Sequence, residues 1–71
     1  MDWIKIDQYD KDAEVPEERE KVLVRTLSGN YYVAEYQGIQ NWNRKKHHQF
    51  METWEHYQVL QINAWCRIEG P

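Results

Sequence analysis

The chain has 71 residues, 41% of them hydrophobic and 30% charged, a composition that excludes a disordered tail. No apolar run approaches the ~18 residues of a membrane span, and the length leaves no room for two lobes around a cleft, so we expect one domain over residues 1–71. The net charge of −3 argues against broad, unspecific binding to DNA.

The first residues and the cysteine content bear on the cellular compartment. Met1-Asp2-Trp3-Ile4-Lys5 has neither the basic region nor the apolar stretch of a signal peptide, so we do not expect secretion. Cys66 is the single cysteine of the sequence, which excludes an internal disulfide and suits a reducing compartment. The sequence therefore predicts a cytoplasmic protein.

A short strand and an acidic loop are predicted for the first 20 residues. Ile4 and Ile6 alternate with Trp3 and Lys5, so the two isoleucines face one way and the other two side chains the opposite way. Residues 7–20 contain Pro16 and no apolar period, which indicates a loop. Residues 1–20 hold eight acidic side chains against three basic ones, so this loop is acidic.

A β-hairpin is the strongest local signal. Residues 22–27 and 31–36 are rich in β-formers, and Ser28-Gly29-Asn30 between them tolerates positive φ. A three-residue loop over 28–30 groups Val22, Val24 and Thr26 with Tyr32, Ala34 and Tyr36 on an apolar face. A two-residue loop, Gly29-Asn30, would place Arg25 on the buried face instead. We prefer the first register because burying a charge is costly.

One helix is predicted within residues 44–58. Between Ile39 and Glu69 the sequence contains neither glycine nor proline. The apolar side chains of this segment follow an i, i+1, i+4, i+7 pattern that matches one helix face, at Phe50, Met51, Trp54 and Tyr57. Asn41 or Asn43 is a candidate N-cap.

The last predicted element is a strand over residues 60–68. Its apolar residues alternate with polar ones, so Ile62 and Ile68 are expected in the core, with Asn63 and Arg67 exposed. Trp65 then points to the opposite face. Either the helix covers Trp3 and Trp65 in a second small core, or the two tryptophans are exposed and mark a partner site.

These elements predict an α+β fold, a small antiparallel sheet of three to four strands with one helix. The strands are residues 3–6, 22–27, 31–37 and 60–68. If residues 50–57 form a strand rather than a helix, the architecture becomes an all-β meander or a small SH3-like barrel.

The sequence resembles the family catalogued as domain of unknown function 551. The resemblance spans nearly the whole chain, and its residues are Trp3-Ile4, Pro16, Val22-Leu23-Val24, Gly29, Val33-Ala34-Glu35-Tyr36, Trp42, Ile62-Asn63-Ala64-Trp65 and Ile68-Glu69-Gly70-Pro71. Asn63-Ala64 replaces the Thr-His that the family typically has before its late tryptophan. The resemblance implies a small protein of phage or prophage type, without an established activity, and one that binds a component of its bacterial host.

The residues that catalysis or metal binding requires are scarce. Cys66 lies on the apolar side of a predicted strand, where a thiol behaves as a small hydrophobe. His47 and His48 would point in different directions on a helix, so they cannot form a zinc site together. No glycine-rich loop that could hold phosphate is present among only three glycines. We therefore expect no enzyme and no cofactor.

Two binding functions remain, and ten aromatic residues support both. In the first, an aromatic surface formed by Trp3, Trp42, Trp65 and Tyr31 binds a protein partner, since interface hot spots are rich in Trp and Tyr. In the second, Arg44, Lys45 and Lys46 with Tyr31, Tyr32 and Trp42 bind a nucleotide or single-stranded nucleic acid by charge and stacking. No membrane partner is expected, and a homodimer stays open.

Overall fold

The fold is all-β. A computed structural model describes residues 2–68, with only the backbone of Trp42, and contains six strands: β1 (Ile4–Lys5), β2 (Lys21–Thr26), β3 (Tyr31–Trp42), β4 (Lys45–Glu52), β5 (Gln58–Val59) and β6 (Ile62–Arg67). They form one antiparallel sheet in the order β1-β6-β2-β3-β4-β5. The α+β prediction is wrong, because the described residues form no helix. The all-β alternative has the right class, but the sheet is not a meander, since β6 lies between β1 and β2.

The predicted β-hairpin is confirmed as β2 and β3. Val22 pairs with Ala34 and Val24 with Tyr32, so the two strands share the apolar face of the preferred register. The loop lies one residue earlier than expected, because the Thr26 amide donates to the Asn30 carbonyl at 2.9 Å and leaves residues 27–29 as the turn. Because the loop keeps its length of three residues and only moves by one position, the same side chains of the two strands still share a face.

The segment predicted as a helix forms β4, a turn and β5 instead. Asn43 and Arg44 adopt φ of 52° and 65°, the left-handed conformation that closes a two-residue β-hairpin between β3 and β4. The asparagine considered as a helix cap thus serves the turn. Phe50 is fully buried opposite Tyr36, whereas Trp54 is 72% exposed, so the apolar residues do not share one face. The helical spacing was coincidental.

A β-bulge in β6 overturns the predicted orientation of Trp65. Ala64 pairs with Arg25 and Ile62 with Thr26, so Asn63 is an extra residue that reverses the faces of the strand. Trp65 consequently pairs with Val24 on the core side and is fully buried. It is neither an exposed binding residue nor part of a second core. Ile62 is buried as predicted and Arg67 is exposed, but Asn63 is half-buried and Ile68 is 53% exposed.

The acidic loop covers Trp65, which is one of the two roles that the sequence offered for a helix or a partner. The Trp65 indole Nε1–H donates to the Glu14 carbonyl at 2.9 Å, and Ala13 and Val15 pack against the core. On the strand side, the Arg67 guanidinium lies 5.0 Å from the ring centroid of Trp65 and pairs with Glu20 at 3.2 Å. The loop is therefore part of the folded domain.

Gln8 joins the two ends of the sheet around the core. After β1 the chain crosses to β4, where the Gln8 carbonyl accepts from the His48 amide at 2.8 Å. The side chain of Gln8 donates to the His48 carbonyl at 2.9 Å and accepts from the Ile62 amide at 2.8 Å. The sheet thus curls around one core, composed of Ile6, Val22, Val24, Ala34, Tyr36, Phe50, Val59, Ile62 and Trp65.

Gly38 is required where β3 bulges between Tyr36 and Ile39. Its φ is +80°, and a Cβ at this position would lie 2.9 Å from the Glu18 carboxylate. The left-handed strain costs about 1–2 kcal/mol for an L-residue, so we expect Gly38→Ala to lower the free energy of unfolding by at least that amount in urea titrations. Gly29→Ala has the same strain at φ +88° without a neighbour within 4 Å, and it should cost slightly less, because only the Gly38 variant must also displace the end of the exposed Glu18 side chain. An equal cost for both variants would contradict a role for the Glu18 contact.

Candidate functional site

Trp3 and Tyr31, two of the predicted binding residues, lie together on the outer face of the sheet. Their ring centroids are 5.8 Å apart, and the Arg25 guanidinium lies 5.1 Å from the Trp3 centroid. Arg25 Nε also donates to the Asn63 side-chain oxygen at 3.3 Å, which holds the guanidinium over the ring. We call Trp3, Arg25 and Tyr31 the outer-face cluster. Because Tyr31 is 58% exposed, the cluster is open to solvent.

A groove lined with aromatic side chains continues from this cluster at Tyr31. It has a volume of about 390 Å³ and lies where the turn between β4 and β5 passes the start of β3. Its lining residues, which we call the aromatic groove, are Leu23, Tyr31, Tyr32, Val33, Glu52, Trp54, Glu55 and Tyr57. The rings of Tyr32 and Tyr57 meet edge to face, with centroids 6.1 Å apart and planes at 87°.

The turn that carries Trp54 is held by a buried carboxylate. Glu52 is 5% exposed, and its two carboxylate oxygens accept from the amides of Trp54 at 2.8 Å and Glu55 at 2.6 Å. The Glu52 amide donates to the Tyr57 carbonyl at 2.8 Å, and the Thr53 amide donates to Val33 at 3.0 Å. Hydrogen bonds to an ionised acceptor are among the stronger ones in proteins. The backbone of Trp54 is therefore fixed, although its side chain is 72% exposed.

Carboxylates give the aromatic groove a negative potential. Partial burial raises the pKa of the Tyr57 phenol above its usual value, and the neighbouring Tyr32, Glu52 and Glu55 raise it further. The phenol of Tyr57 is therefore neutral at pH 7. No lysine or arginine is among the residues that line this groove. Its chemistry is that of flat apolar walls beside negative charge, which attracts a cation and repels a phosphate.

The basic cluster Arg44, Lys45 and Lys46 lies at the other end of β3. Arg44 lies in the turn after Trp42 and the two lysines begin β4, whereas Tyr31 and Tyr32 begin β3, so roughly 30 Å separates the two groups at ~3.3 Å per residue. The Trp42 side chain lies outside the described part of the structure. The aromatic residue that the cluster does approach is Tyr9, whose ring centroid lies 5.7 Å from the Lys45 ammonium. The structure thus does not bring the basic cluster together with Tyr31 and Tyr32.

Both ring nitrogens of the buried histidine His48 form hydrogen bonds within the fold. Its Nε2–H donates to the Asp10 carbonyl at 2.8 Å, so its Nδ1 accepts from the Tyr36 hydroxyl at 2.7 Å. Burial raises the pKa of Tyr36, and the Glu18 carboxylate raises it further, so this hydroxyl keeps its proton. Cys66 is buried. Within residues 2–68 no three His, Cys, Asp or Glu side chains are grouped so that they could hold a metal ion.

Sequence reasoning missed the main residues of the aromatic groove. The sequence predicts Trp54 and Tyr57 on one face of a helix, and it predicts Tyr32 on the apolar face of the hairpin and as a stacking residue for nucleic acid. The hydrogen bonds from the amides of Trp54 and Glu55 to Glu52 form a turn that leaves Trp54 exposed. The amino-acid types of residues 52–57 do not distinguish this turn from a helix. The segment contains no glycine or proline that would indicate the end of a helix.

Comparisons with known proteins add no function. No protein-family model, curated protein or solved structure matches this chain. The resemblance to domain of unknown function 551 therefore stays a prediction. The described residues also contain no helix that could cross a membrane.

Proposed function

We propose that this chain is a non-enzymatic binding module that grips a protein partner through its aromatic groove and outer-face cluster. The observation that carries the proposal is Trp54, which is 72% exposed on a turn fixed by the Glu52 carboxylate. An exposed indole on a rigid turn loses little conformational entropy when a partner covers it, so its burial contributes efficiently to affinity. Aromatic anchors of this kind dominate many protein interfaces.

The extent of the surface supports a protein partner over a small ligand. Trp3, Tyr31, Tyr57 and Trp54 follow one another along the same side of the molecule, through the contact of Trp3 with Tyr31 and the shared lining of the groove. Contiguous exposed aromatic surface on a soluble protein usually marks an interaction site. The resemblance to phage and prophage proteins adds the proposal that this partner is a protein of a bacterial host, met in the cytoplasm.

The nucleotide or nucleic-acid alternative rests on the basic cluster at the β3–β4 turn. Lys46 and Lys11 line a small pocket with Tyr9, so one ring is available for stacking. The same loop carries Asp10 and Asp12, whose charges oppose a phosphate. The aromatic groove is therefore the better-supported site.

Affinity capture with variant proteins tests the proposed function. Tagged protein recovers a partner from bacterial lysate, and the dissociation constant of that partner is then measured with purified variants. We expect Trp54→Ala to weaken the complex by about 2 kcal/mol or more, roughly 30-fold, because a hot-spot tryptophan is removed. The control replaces Arg44, Lys45 and Lys46 together by glutamine and should keep the affinity.

The opposite pattern would favour the alternative function. If the glutamine variant loses the partner, and the affinity of the unchanged protein falls steeply with salt, the basic cluster is the site. Far-ultraviolet circular dichroism of each variant separates lost binding from lost folding.

A further inference from the structure

Three aromatic rings of this protein already carry a basic side chain at cation–π distance. Arg25 lies 5.1 Å from the Trp3 centroid, Arg67 5.0 Å from Trp65, and Lys45 5.7 Å from Tyr9. A cation over a ring face is attracted by the ring quadrupole within about 6 Å. These pairs place the chain's own cations over rings in three different parts of the fold.

The aromatic groove provides the rings without the cation. Tyr32 and Tyr57 stand at 87° to each other and form two walls of a corner, while Trp54 projects from the turn beside them. In the described part of the chain, no arginine or lysine lies over any of these three rings at such a distance. Trp54 and Tyr57 are 72% and 41% exposed, so a cation from outside can reach these two rings.

Negative charge at the aromatic groove selects for the same kind of group. The Glu52 carboxylate accepts from the amides of the turn and is only 5% exposed, so it adds negative charge without being the group that pairs with an incoming cation. Glu55 is exposed on the same turn, and its carboxylate is free to pair with a cation. Rings and carboxylates together recognise alkylated ammonium groups in proteins.

We propose that the aromatic groove recognises a basic segment of the protein partner by taking one lysine or arginine side chain, with its cation over the rings of Trp54 and Tyr57 and beside Glu55. This inference rests on the proposed function and names the chemistry of the partner. The aliphatic stem of the side chain packs along Leu23 and Val33, which also line the groove. Methylation of a lysine there strengthens binding, because a methylated ammonium is less strongly hydrated and still charged.

A matched pair of peptides tests the role of the charge. The probes are seven-residue glycine peptides with blocked ends, whose central residue is lysine, trimethyllysine or the uncharged tert-butyl isostere of trimethyllysine. Each is titrated into the ¹⁵N-labelled protein, and the indole Nε1–H of Trp54 and the amide of Glu55 report binding. We expect trimethyllysine to bind at least about tenfold more tightly than its uncharged isostere, because the two differ only in charge.

Two variants locate the site and its charge. Trp54→Ala should weaken binding of the trimethyllysine peptide about tenfold or more, and Glu55→Gln about threefold, as expected for an exposed charge pair. Glu17→Gln changes the net charge equally on the exposed acidic loop and should leave the affinity unaltered.

Equal affinity for the charged and uncharged peptides overturns the inference, as does an absence of shifts at Trp54 and Glu55 at millimolar peptide. These results leave the proposed function intact if Trp54→Ala still loses the captured protein. Conversely, the proposed function fails if Trp54→Ala binds the captured protein as tightly as the unchanged chain does, whatever the result with the peptides.

Discussion

Replacing Trp65 by alanine will lower the free energy of unfolding by about 3–5 kcal/mol, the usual cost of removing a buried aromatic ring. A 71-residue domain has about 4–10 kcal/mol of stability in total, so the substitution removes at least about a third of that stability and all of it at the lower end of the range. Trp65 is fully buried against Val24, and its indole holds the loop through the Glu14 carbonyl. The substitution therefore opens a cavity and releases the loop together.

Urea unfolding followed by far-ultraviolet circular dichroism measures this loss. Trp54→Ala is the matched control, since it removes the same side chain from a site that is 72% exposed, and it should change stability by less than about 0.5 kcal/mol. Trp65→Phe keeps a ring but loses the hydrogen bond to Glu14, and we expect an intermediate cost. If Trp65→Ala unfolds with the stability of Trp54→Ala, the core assignment of Trp65 is incorrect.

The contrast between these tryptophans shows which parts of the fold the sequence determines locally. The hairpin of β2 and β3 was predicted correctly because alternation and the turn at Gly29 are signals within 15 neighbouring residues. The face on which Trp65 lies was predicted incorrectly, because the extra residue Asn63 reverses the orientation of the side chains that follow it in β6. A bulge is fixed by pairing with β2, about 40 residues away, and leaves no mark on the alternation of β6.

The same reasoning explains the missing helix. Phe50 and Met51 belong to a strand because β4 pairs with β3 on one side and β5 on the other, and these pairings are tertiary. A helix-like spacing of four apolar residues is too weak to outweigh them. Of the candidate site, Trp3 and Tyr31 were among the predicted binding residues, whereas Trp54 could be recognised only after the turn was known.

Gln8→Leu will lower the free energy of unfolding by about 2–4 kcal/mol, since each buried polar group left unpaired costs about 1–3 kcal/mol. The side chain keeps its size, but the Ile62 amide and the His48 carbonyl lose their partners at 2.8 and 2.9 Å. Both residues are buried, with Ile62 4% and His48 2% exposed. The variant loses the side-chain junction between the two ends of the sheet while keeping its apolar packing.

Two measurements identify this mechanism. Urea titration gives the loss of stability, and amide hydrogen exchange at Ile62 should accelerate more than at residues of the β2–β3 hairpin, because the bond lost is local. Gln49→Leu is the matched control, since Gln49 makes only a 3.4 Å contact with Gln37 and is half-buried, so its cost should stay below about 1 kcal/mol. A protected Ile62 amide in Gln8→Leu would mean that Gln8 does not hold the sheet closed, and the closure would then depend on the backbone bond between Gln8 and His48 alone.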